Sequence, residues 1–312
     1  MKIKVVAGKG GVGKSTVSTM LAMYEAIELN RQVLLIDNDG RRAHTISKIM
    51  NFERKRYVGN HINQTEIKNL FFTPVNPINF HRIQPKKNRK QPIEEYLKQF
   101  PDDYGYYPIG DMANIFWGIP TDLVMVEKFL TLVRIYHQAL EKNIDTMIID
   151  MEPTEGLERL INNVRVITKS MRGLKEGSIL QSLIGQAFED IGAFFKGPYV
   201  RNADKYTLRM EMATDAIKQA TFILVSIPEI TPIEQMYEII SLIRSINGNV
   251  AGFVFNNPRG TDTEKKLMEE FKEDIDNPVA LIEHNDNICN MVNTEERIHA
   301  LLKGGKELLP FF

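Results

Sequence analysis

The chain has 312 residues, of which 43% are apolar and 25% are charged, and its net charge is −1. This composition is that of an ordinary globular protein. The near-neutral charge gives no general reason to expect binding to nucleic acid or to an anionic membrane. No apolar run approaches the roughly 18 residues of a membrane-spanning helix and no leader peptide is apparent, so we expect no integral membrane segment and a cytoplasmic location. The single cysteine, Cys289, excludes an internal disulfide and a Cys-x-x-Cys metal site within the chain.

Apolar runs alternate with segments of helical period along the chain. This alternation predicts an α/β fold, a doubly wound and mostly parallel sheet with helices on both faces. The predicted strands are 2–7, 32–37, 78–84, 144–150, 221–227, 250–255 and a weaker one at 279–282. The predicted helices are 14–29, 121–141, 156–171, 231–246, 262–274 and 293–303.

The first predicted strand leads directly into a phosphate-binding loop. Residues 8–16 read Gly-Lys-Gly-Gly-Val-Gly-Lys-Ser-Thr, which fits the pattern G-x-x-x-x-G-K-[ST] between a strand and a helix. Glycines let backbone N–H groups converge on phosphate oxygens, and the N-terminus of the following helix adds its positive dipole end. We therefore expect a nucleoside triphosphate to be bound by Gly8, Gly10, Gly11, Val12, Gly13, Lys14, Ser15 and Thr16; the family resemblance given below implies that it is ATP. Lys14 would contact the β- and γ-phosphates, and Ser15 would coordinate Mg²⁺.

Carboxylates end two of the predicted strands. Asp150 follows the apolar run 146–149 and is predicted to hold Mg²⁺ together with Ser15, while Asp37 and Asp39 follow the second strand. Asp39 is the candidate for positioning the attacking water near the γ-phosphate. Aspartates at strand ends also cap turns and helices, so a purely structural role stays open for each of them.

Two stretches of the sequence do not fit a minimal nucleotide-binding core. We interpret 1–312 as a single P-loop ATPase domain with an inserted helical subdomain built from about 85–140 and 165–212. The second stretch contains an apolar stripe of helical period at 178–195, which either packs within the protein or lines a groove for a hydrophobic segment of a client protein. A basic run at 86–90 could contact nucleic acid, but such a run in a loop is more often simply solvated, and we expect no nucleic-acid partner.

Lys9 follows the first glycine of the loop, and with it the loop resembles that of a known class of ATPases. With Lys9, the loop reads K-G-G-V-G-K-[ST] and resembles the deviant Walker A signature of the ATPase class that includes ParA, MinD, nitrogenase iron protein, the arsenite-pump ATPases and the tail-anchored-protein targeting ATPases. The resemblance implies that Lys9 reaches the nucleotide of a partner subunit. It therefore implies a homodimer and places Lys9 with Lys14 and Asp39 among the catalytic residues.

Further segments narrow the resemblance to the arsenite-pump and tail-anchored-protein targeting ATPases. The run 150–160 is similar to their switch II segment, 39–47 looks like their switch I without its proline, and Ile227-Pro228-Glu229 resembles the turn after their helical insertion. By the same resemblance, Asn256 contacts the adenine. The family implies a nucleotide-switched homodimer that binds a protein client or a hydrophobic segment through its insertions.

Departures from the family pattern limit what can be carried over. Arg41 and Arg42 lie in switch I, and Met151 and Glu152 replace small residues of switch II, so the rate of hydrolysis stays open. One cysteine cannot supply the thiolates of a bridging zinc or of a metalloid site, and we expect neither. Two alternatives remain: a ParA/MinD-like positioning ATPase that assembles on DNA or membrane, and a metallocluster-maturation ATPase, which the single cysteine disfavours.

Overall fold

The computed structural model describes residues 1–38, 45–50, 60–75, 123–152, 156–158, 160–161, 212, 214–283 and 294–312. Several sequence predictions fall outside these residues. They are the strand at 78–84, the stripe at 178–195, the basic run at 86–90, and Asp39 with the rest of its segment up to His44.

Eight strands and six helices make up the described part of the chain. The strands are β1 Lys2–Ala7, β2 Val33–Asp37, β3 Asn63–Gln64, β4 Leu70–Pro74, β5 Thr146–Asp150, β6 Thr221–Ser226, β7 Asn249–Asn256 and β8 Val279–Ile282. The helices are α1 Lys14–Ile27, α2 Thr45–Ile49, α3 Leu123–Glu141, α4 Ile230–Arg244, α5 Asp262–Glu273 and α6 Thr294–Lys306, followed by a 3₁₀ turn at Leu309–Phe311.

The strands form one sheet in the order β3-β4-β2-β5-β1-β6-β7-β8. Every neighbouring pair is parallel except β3 and β4, which are antiparallel. This confirms the predicted α/β fold with a mostly parallel sheet. The carboxyl ends of the parallel strands therefore share one edge, and β1 lies between β5 and β6 at its centre.

The central strands are buried on both faces. All five residues of β2 and of β5 are buried, as are five of the six in β1 and in β6. Their near-continuous apolar sequences are the reason, because a parallel sheet covered by helices leaves no solvent-facing side to alternate with polar residues.

Helix α6 packs closely on α1 because it carries two adjacent glycines. A Cβ atom at Gly304 would lie 2.5 Å from the sulfur of Met20, and one at Gly305 would lie 2.7 Å from Cβ of Tyr24. A side chain at Gly305 would push the two helices apart, because it would also lie 2.9 Å from the backbone oxygen of Met20, whereas at Gly304 the flexible end of Met20 would have to move. The helix that follows the phosphate loop is therefore fixed from its outer side by the last helix of the chain.

A buried ion pair joins β1 to α1 at the end remote from the loop. Lys4 Nζ lies 2.6 Å from Glu25 Oε1 and also donates to the carbonyl oxygen of Phe311 at 2.8 Å. Oε2 of Glu25 accepts from Thr146 Oγ1 at 2.7 Å and from Arg31 at 3.1 Å. Burial lowers the pKa of Lys4 from its ordinary value, and the neighbouring Glu25 carboxylate opposes that shift.

The chain divides into two compact units. One comprises Met1–Asn76, Arg134–Asn162 and Asp215–Phe312 and contains the whole sheet. The other comprises Pro77–Val133 and Asn163–Thr214, most of which lies outside the described residues. The inserted helical subdomain at about 85–140 and 165–212 therefore stays a prediction.

Candidate functional site

The phosphate loop connects β1 to α1 at the carboxyl edge of the sheet, and three of its glycines have positive φ. The φ angles are +150° at Gly8, +85° at Gly11 and +93° at Gly13, values that side chains rarely adopt. Gly8 also needs the space, since a Cβ there would lie 2.1 Å from the carbonyl oxygen of Val225 at the end of β6. The loop is thus a narrow backbone structure that only glycine can form at these positions.

Gly13 is the N-cap of α1 and has no side chain with which to cap the helix. The first-turn N–H groups at Ser15 and Thr16 consequently receive no side-chain acceptor from it, which is the arrangement that a phosphate-binding helix end requires. Gly10 and Gly11 are exposed, while Val12 is buried in the apolar core below the loop. The loop therefore has an open outer surface on a fixed base.

The loop lysine bonds across the loop. Lys14 is buried, and its Nζ donates to the carbonyl oxygen of Lys9 at 2.7 Å. This bond closes the loop into a ring. Lys9 itself is half-buried, so its backbone is fixed while its side chain keeps partial access to solvent.

Asp150 lies at the end of β5, beside the loop, and is bonded to two hydroxyl groups of α1. Ser15 Oγ donates to Asp150 Oδ2 at 2.6 Å, and Ser18 Oγ lies 3.1 Å from Oδ1. Ser18 Oγ also lies 2.9 Å from the carbonyl oxygen of Lys14, so its single proton is shared between two acceptors. Because Ser15 gives its proton to the carboxylate, the lone pairs of its oxygen are left for a cation.

The second strand ends next to Asp150. Asp37 is aligned with Asp150 in the β2–β5 register, and both are buried. The backbone N–H of Asn38 donates to the carbonyl oxygen of Asp150 at 3.1 Å, and its side-chain amide lies 3.7 Å from the sulfur of Met151. The segment that leads to Asp39 therefore starts in contact with the metal-binding candidate.

Asn256, at the end of β7, reaches the loop from the other side of β1. Its Nδ2 donates to the carbonyl oxygen of Val12 at 2.9 Å. The same nitrogen lies 2.1 Å from the point where a Cβ on Gly13 would be. Asn256 thus supports the phosphate loop, whereas the sequence analysis expected it only to contact the adenine base.

The donors gathered around Ser15 and Asp150 fit Mg²⁺. All are oxygen atoms, which hard cations prefer, and a magnesium ion normally takes only one or two protein ligands because phosphates and water complete its shell. Within the described part of the chain, no cluster of three His, Cys, Asp or Glu side chains could hold a metal ion by itself. The chemistry of the donor set therefore matches a cation shared with a bound triphosphate.

The sequence analysis did not identify Ser18 as a residue of the site. It also did not predict that Asn256 supports the phosphate loop. Ser18 lies three residues after Ser15, so one helix face presents both hydroxyls to β5, and that spacing was a readable signal. The Asn256–Val12 contact joins residues 244 positions apart and leaves no local mark.

Two kinds of sequence comparison describe what the chain is similar to. A family model described as "Anion-transporting ATPase" matches residues 1–291. The ATPase GET3 of Podospora anserina is 23% identical over 297 residues, covering 86% of this chain and 80% of that protein. The ATPase GET3 of Komagataella phaffii is 26% identical over 273 residues, covering 80% and 71% of the respective chains.

A solved structure shares the fold. The septum site-determining protein MinD of Pyrococcus horikoshii, solved as a complex with Mg-ADP, matches 98% of this chain and 95% of its own, with a TM-score of 0.53 and 14% sequence identity. At that identity the likeness concerns the fold alone. Among the described helices, none combines the length and apolar character that crossing a membrane requires.

Proposed function

This chain belongs to the anion-transporting ATPase family and is an ATP-binding ATPase, and from that premise we propose that it acts as a Mg²⁺-dependent, nucleotide-switched homodimer that binds a protein client. The observation that carries the proposal is the closed phosphate loop, in which Lys14 bonds to the Lys9 carbonyl while Ser15 bonds to Asp150. The first turn of α1 thus supplies a cation for phosphate and a metal-binding hydroxyl, and the end of β5 supplies the carboxylate beside them.

The loop and its neighbours would bind the triphosphate and the metal. Backbone N–H groups of 8–16 and the Lys14 ammonium group contact the phosphates, while Ser15 and Asp150 hold Mg²⁺. The cation, when bound, neutralises charge that develops on the phosphate oxygens. Ser18 fixes one oxygen of Asp150, so the other is directed toward Ser15.

Asp39 would orient the attacking water. Asp39 lies outside the described residues, and this role is carried over from the family resemblance of its segment. The residue before it in sequence is Asn38, whose backbone N–H donates to the carbonyl oxygen of Asp150 at 3.1 Å. Catalysis would consist mainly of positioning and charge stabilisation.

Lys9 would complete the site of a partner subunit. Its carbonyl is bonded to Lys14, its side chain keeps partial access to solvent, and the adjacent Gly10 and Gly11 are exposed. A second copy can therefore approach this face of the loop, where an additional cation neutralises phosphate charge only in the closed dimer. Hydrolysis is thereby linked to the state of the dimer.

The output of the switch would be a change in a client-binding surface. This part rests on the family resemblance of the sequence and on the insertions at about 85–140 and 165–212. We propose that these segments bind a protein or a hydrophobic peptide, in the cytoplasm, without zinc, metalloid or nucleic acid as partner.

The oligomeric mass with and without a non-hydrolysable ATP analogue tests the proposal. Wild type and Lys266→Ala, which removes an exposed lysine of α5, should form dimers with the analogue, whereas Lys9→Ala should stay monomeric or dimerise much more weakly. Equal dimerisation of all three proteins would refute the role of Lys9.

Client binding needs a separate measurement. A fluorescent hydrophobic peptide is titrated against the protein in both nucleotide states, with liposomes and DNA as parallel probes. Nucleotide-dependent peptide binding supports the targeting function. Binding of DNA or liposomes alone in the ATP state would instead identify a positioning ATPase.

A further inference from the structure

Glu152 brings a second carboxylate to the carboxyl end of β5, beside the start of the phosphate loop. It follows Asp150 by two residues, and the residue between them, Met151, still pairs with β1, because its backbone N–H donates to the carbonyl oxygen of Val6 at 3.0 Å. The loop begins two residues after Val6, at Gly8. Glu152 therefore leaves the sheet next to the first residues of the loop.

The Glu152 side chain lies against the protein instead of extending into solvent. The residue is half-buried, and its Oε1 atom is buried. A Cβ atom on Gly156 would lie 2.3 Å from Cβ of Glu152 and 3.2 Å from its Oε2. The carboxylate therefore lies in a space that exists because residue 156 is glycine.

Acidic and basic side chains at this edge of the sheet nearly balance. Among the described residues of the loop and of the carboxyl ends of β2 and β5, the acids are Asp37, Asp150 and Glu152, and the bases are Lys9 and Lys14. Asp37, Asp150 and Lys14 are buried, so water screens their charges less than at the surface. The edge thus carries a small excess of negative formal charge before a nucleotide binds.

This charge distribution affects metal-free and metal-bound nucleotide differently. A triphosphate alone adds several negative charges, which the Glu152 carboxylate repels, and the repulsion is stronger in a partly buried site than in water. When bound, Mg²⁺ is the largest local charge and offsets the excess of negative charge. Glu152 therefore weakens nucleotide binding chiefly while the metal is absent.

We propose that Glu152 makes the site selective for the Mg²⁺ complex of ATP over metal-free ATP. Glu152 replaces a small residue of the switch II pattern, so this selectivity distinguishes the chain from that pattern. The carboxylate keeps the loop from being occupied by a nucleotide that arrives without the cation needed for its hydrolysis. The inference rests on the proposed function, since it assumes a triphosphate on the loop and a cation at Ser15 and Asp150.

Isothermal titration calorimetry measures this selectivity directly. ATP and ADP are each titrated in excess Mg²⁺ and in EDTA, at one ionic strength because salt screens charge repulsion. The proteins are wild type, Glu152→Gln, Glu152→Asp and the control Glu158→Gln. Glu158 is an exposed glutamate six residues farther along the chain, so its replacement removes the same charge nearby without changing the buried one.

We expect Glu152→Gln to bind metal-free ATP about 10-fold more tightly than wild type, because one repelling charge is gone. The gain for metal-free ADP should be smaller, since ADP lacks the γ-phosphate, and affinities in Mg²⁺ should stay close to those of wild type. Glu152→Asp keeps the charge and should keep the selectivity, and Glu158→Gln should behave like wild type. Thermal melting checks the fold, and Glu152→Ala provides the same comparison if Glu152→Gln is unstable.

The outcomes separate this inference from the function on which it rests. No gain in metal-free binding by Glu152→Gln, including the case in which neither protein binds metal-free ATP, would overturn the proposal, as would an equal gain in Glu158→Gln. Weaker binding of the Mg²⁺ complex with unchanged metal-free binding would identify Glu152 as a metal ligand and also overturn it. Failure of wild type to bind ATP even with Mg²⁺ would overturn the proposed function as well.

Discussion

Replacement of Glu25 by glutamine should destabilise the protein strongly, although the change adds or removes almost no volume. Glu25 has no solvent exposure, and its carboxylate accepts from Lys4, Arg31 and Thr146 at 2.6, 3.1 and 2.7 Å. Glutamine has one acceptor oxygen and one NH₂ group. Whichever way it turns, a donor faces a donor, and the buried Lys4 loses its counter-charge.

The magnitude follows from the burial of each partner. Lys4 is 3% exposed, and breaking a buried pair by removing one partner typically costs about 3–5 kcal/mol. Arg31 should add less than Lys4, since its side chain is 31% exposed and solvent screens its charge. We expect a loss of about 3–5 kcal/mol in the free energy of unfolding, a large part of the roughly 5–15 kcal/mol of an ordinary domain.

The loss should also depend on pH in a defined direction. Burial already lowers the pKa of Lys4, and removal of Glu25 removes the charge that opposes this shift. Between the lowered value and the ordinary 10.5, the unfolded chain binds more protons than the folded one, so stability rises with pH in that window. The rise should be steeper in Glu25→Gln than in wild type.

Urea unfolding followed by circular dichroism measures both effects. Asp262→Asn is the matched control, because Asp262 is fully exposed in its pair with Lys265 and its loss should leave the unfolding midpoint unchanged. The double variant Lys4→Met/Glu25→Gln should recover most of the loss, since it removes the stranded charge. A midpoint shift in Glu25→Gln as small as that of the control, or no recovery in the double variant, would refute the reasoning.

Two further predictions concern the site and the alkaline stability. Ser18→Ala should raise the Mg²⁺ concentration needed for half-maximal ATP hydrolysis by about 10-fold to 100-fold, because Asp150 loses a hydroxyl donor. Thr19→Val, which removes a hydroxyl bonded to the Ser15 carbonyl, should leave that concentration unchanged, and an unchanged Mg²⁺ profile in Ser18→Ala would contradict the assignment. Partial burial and the hydrogen bond to Asp274 raise the pKa of Tyr237 to about 12. The folded chain therefore loses this proton at a higher pH than the unfolded chain, and the free energy of unfolding falls as the pH rises from 10 to 12. In urea unfolding, Tyr237→Phe should lose less stability than wild type over this pH range. The difference should be modest, because Tyr237 is 37% exposed. Identical stability–pH profiles of the two proteins would contradict this prediction.

The sequence predicted those parts of the fold that depend on local pattern. The strand expected at 2–7 is Lys2–Ala7, and that expected at 279–282 is Val279–Ile282. Buried parallel strands are continuous apolar runs, and helices such as Asp262–Glu273 have clear caps, so short windows contain enough information. The phosphate loop was equally readable because its glycines and lysine are required at fixed spacing.

The edge beyond β2 was not predictable in the same way. The neighbour of β2 is Leu70–Pro74, which the sequence analysis did not assign to a strand, and β3 is only two residues long. The Leu70–Pro74 segment has the length of a strand, but the proline at its end counts against one, because proline cannot donate to the ladder. Its structure comes from pairing with β2, a contact between segments far apart in sequence.

The contacts that complete the site are also long-range. Asp150 was predicted as a metal-binding candidate from its strand end, but its bonds to Ser15 and Ser18 depend on the register of β5 against β1. The family resemblance assigned Asn256 only to contact with the base, while its bond to Val12 depends on the order of the three strands β1, β6 and β7. Local sequence indicates which residues can act, and the sheet decides which of them meet.

Helix α1 shows how a motif of local sequence depends on contacts between distant residues. Its first residues bind the phosphate loop, where glycines with positive φ provide little stiffness of their own. Near its last turn Glu25 is bonded to Lys4 of β1, so the two elements that flank the loop are joined at the end remote from it. The geometry of the loop is consequently set by packing and by a buried ion pair at some distance, as preorganised sites generally require. The buried pair of Lys4 and Glu25 is therefore explained best as support for the site.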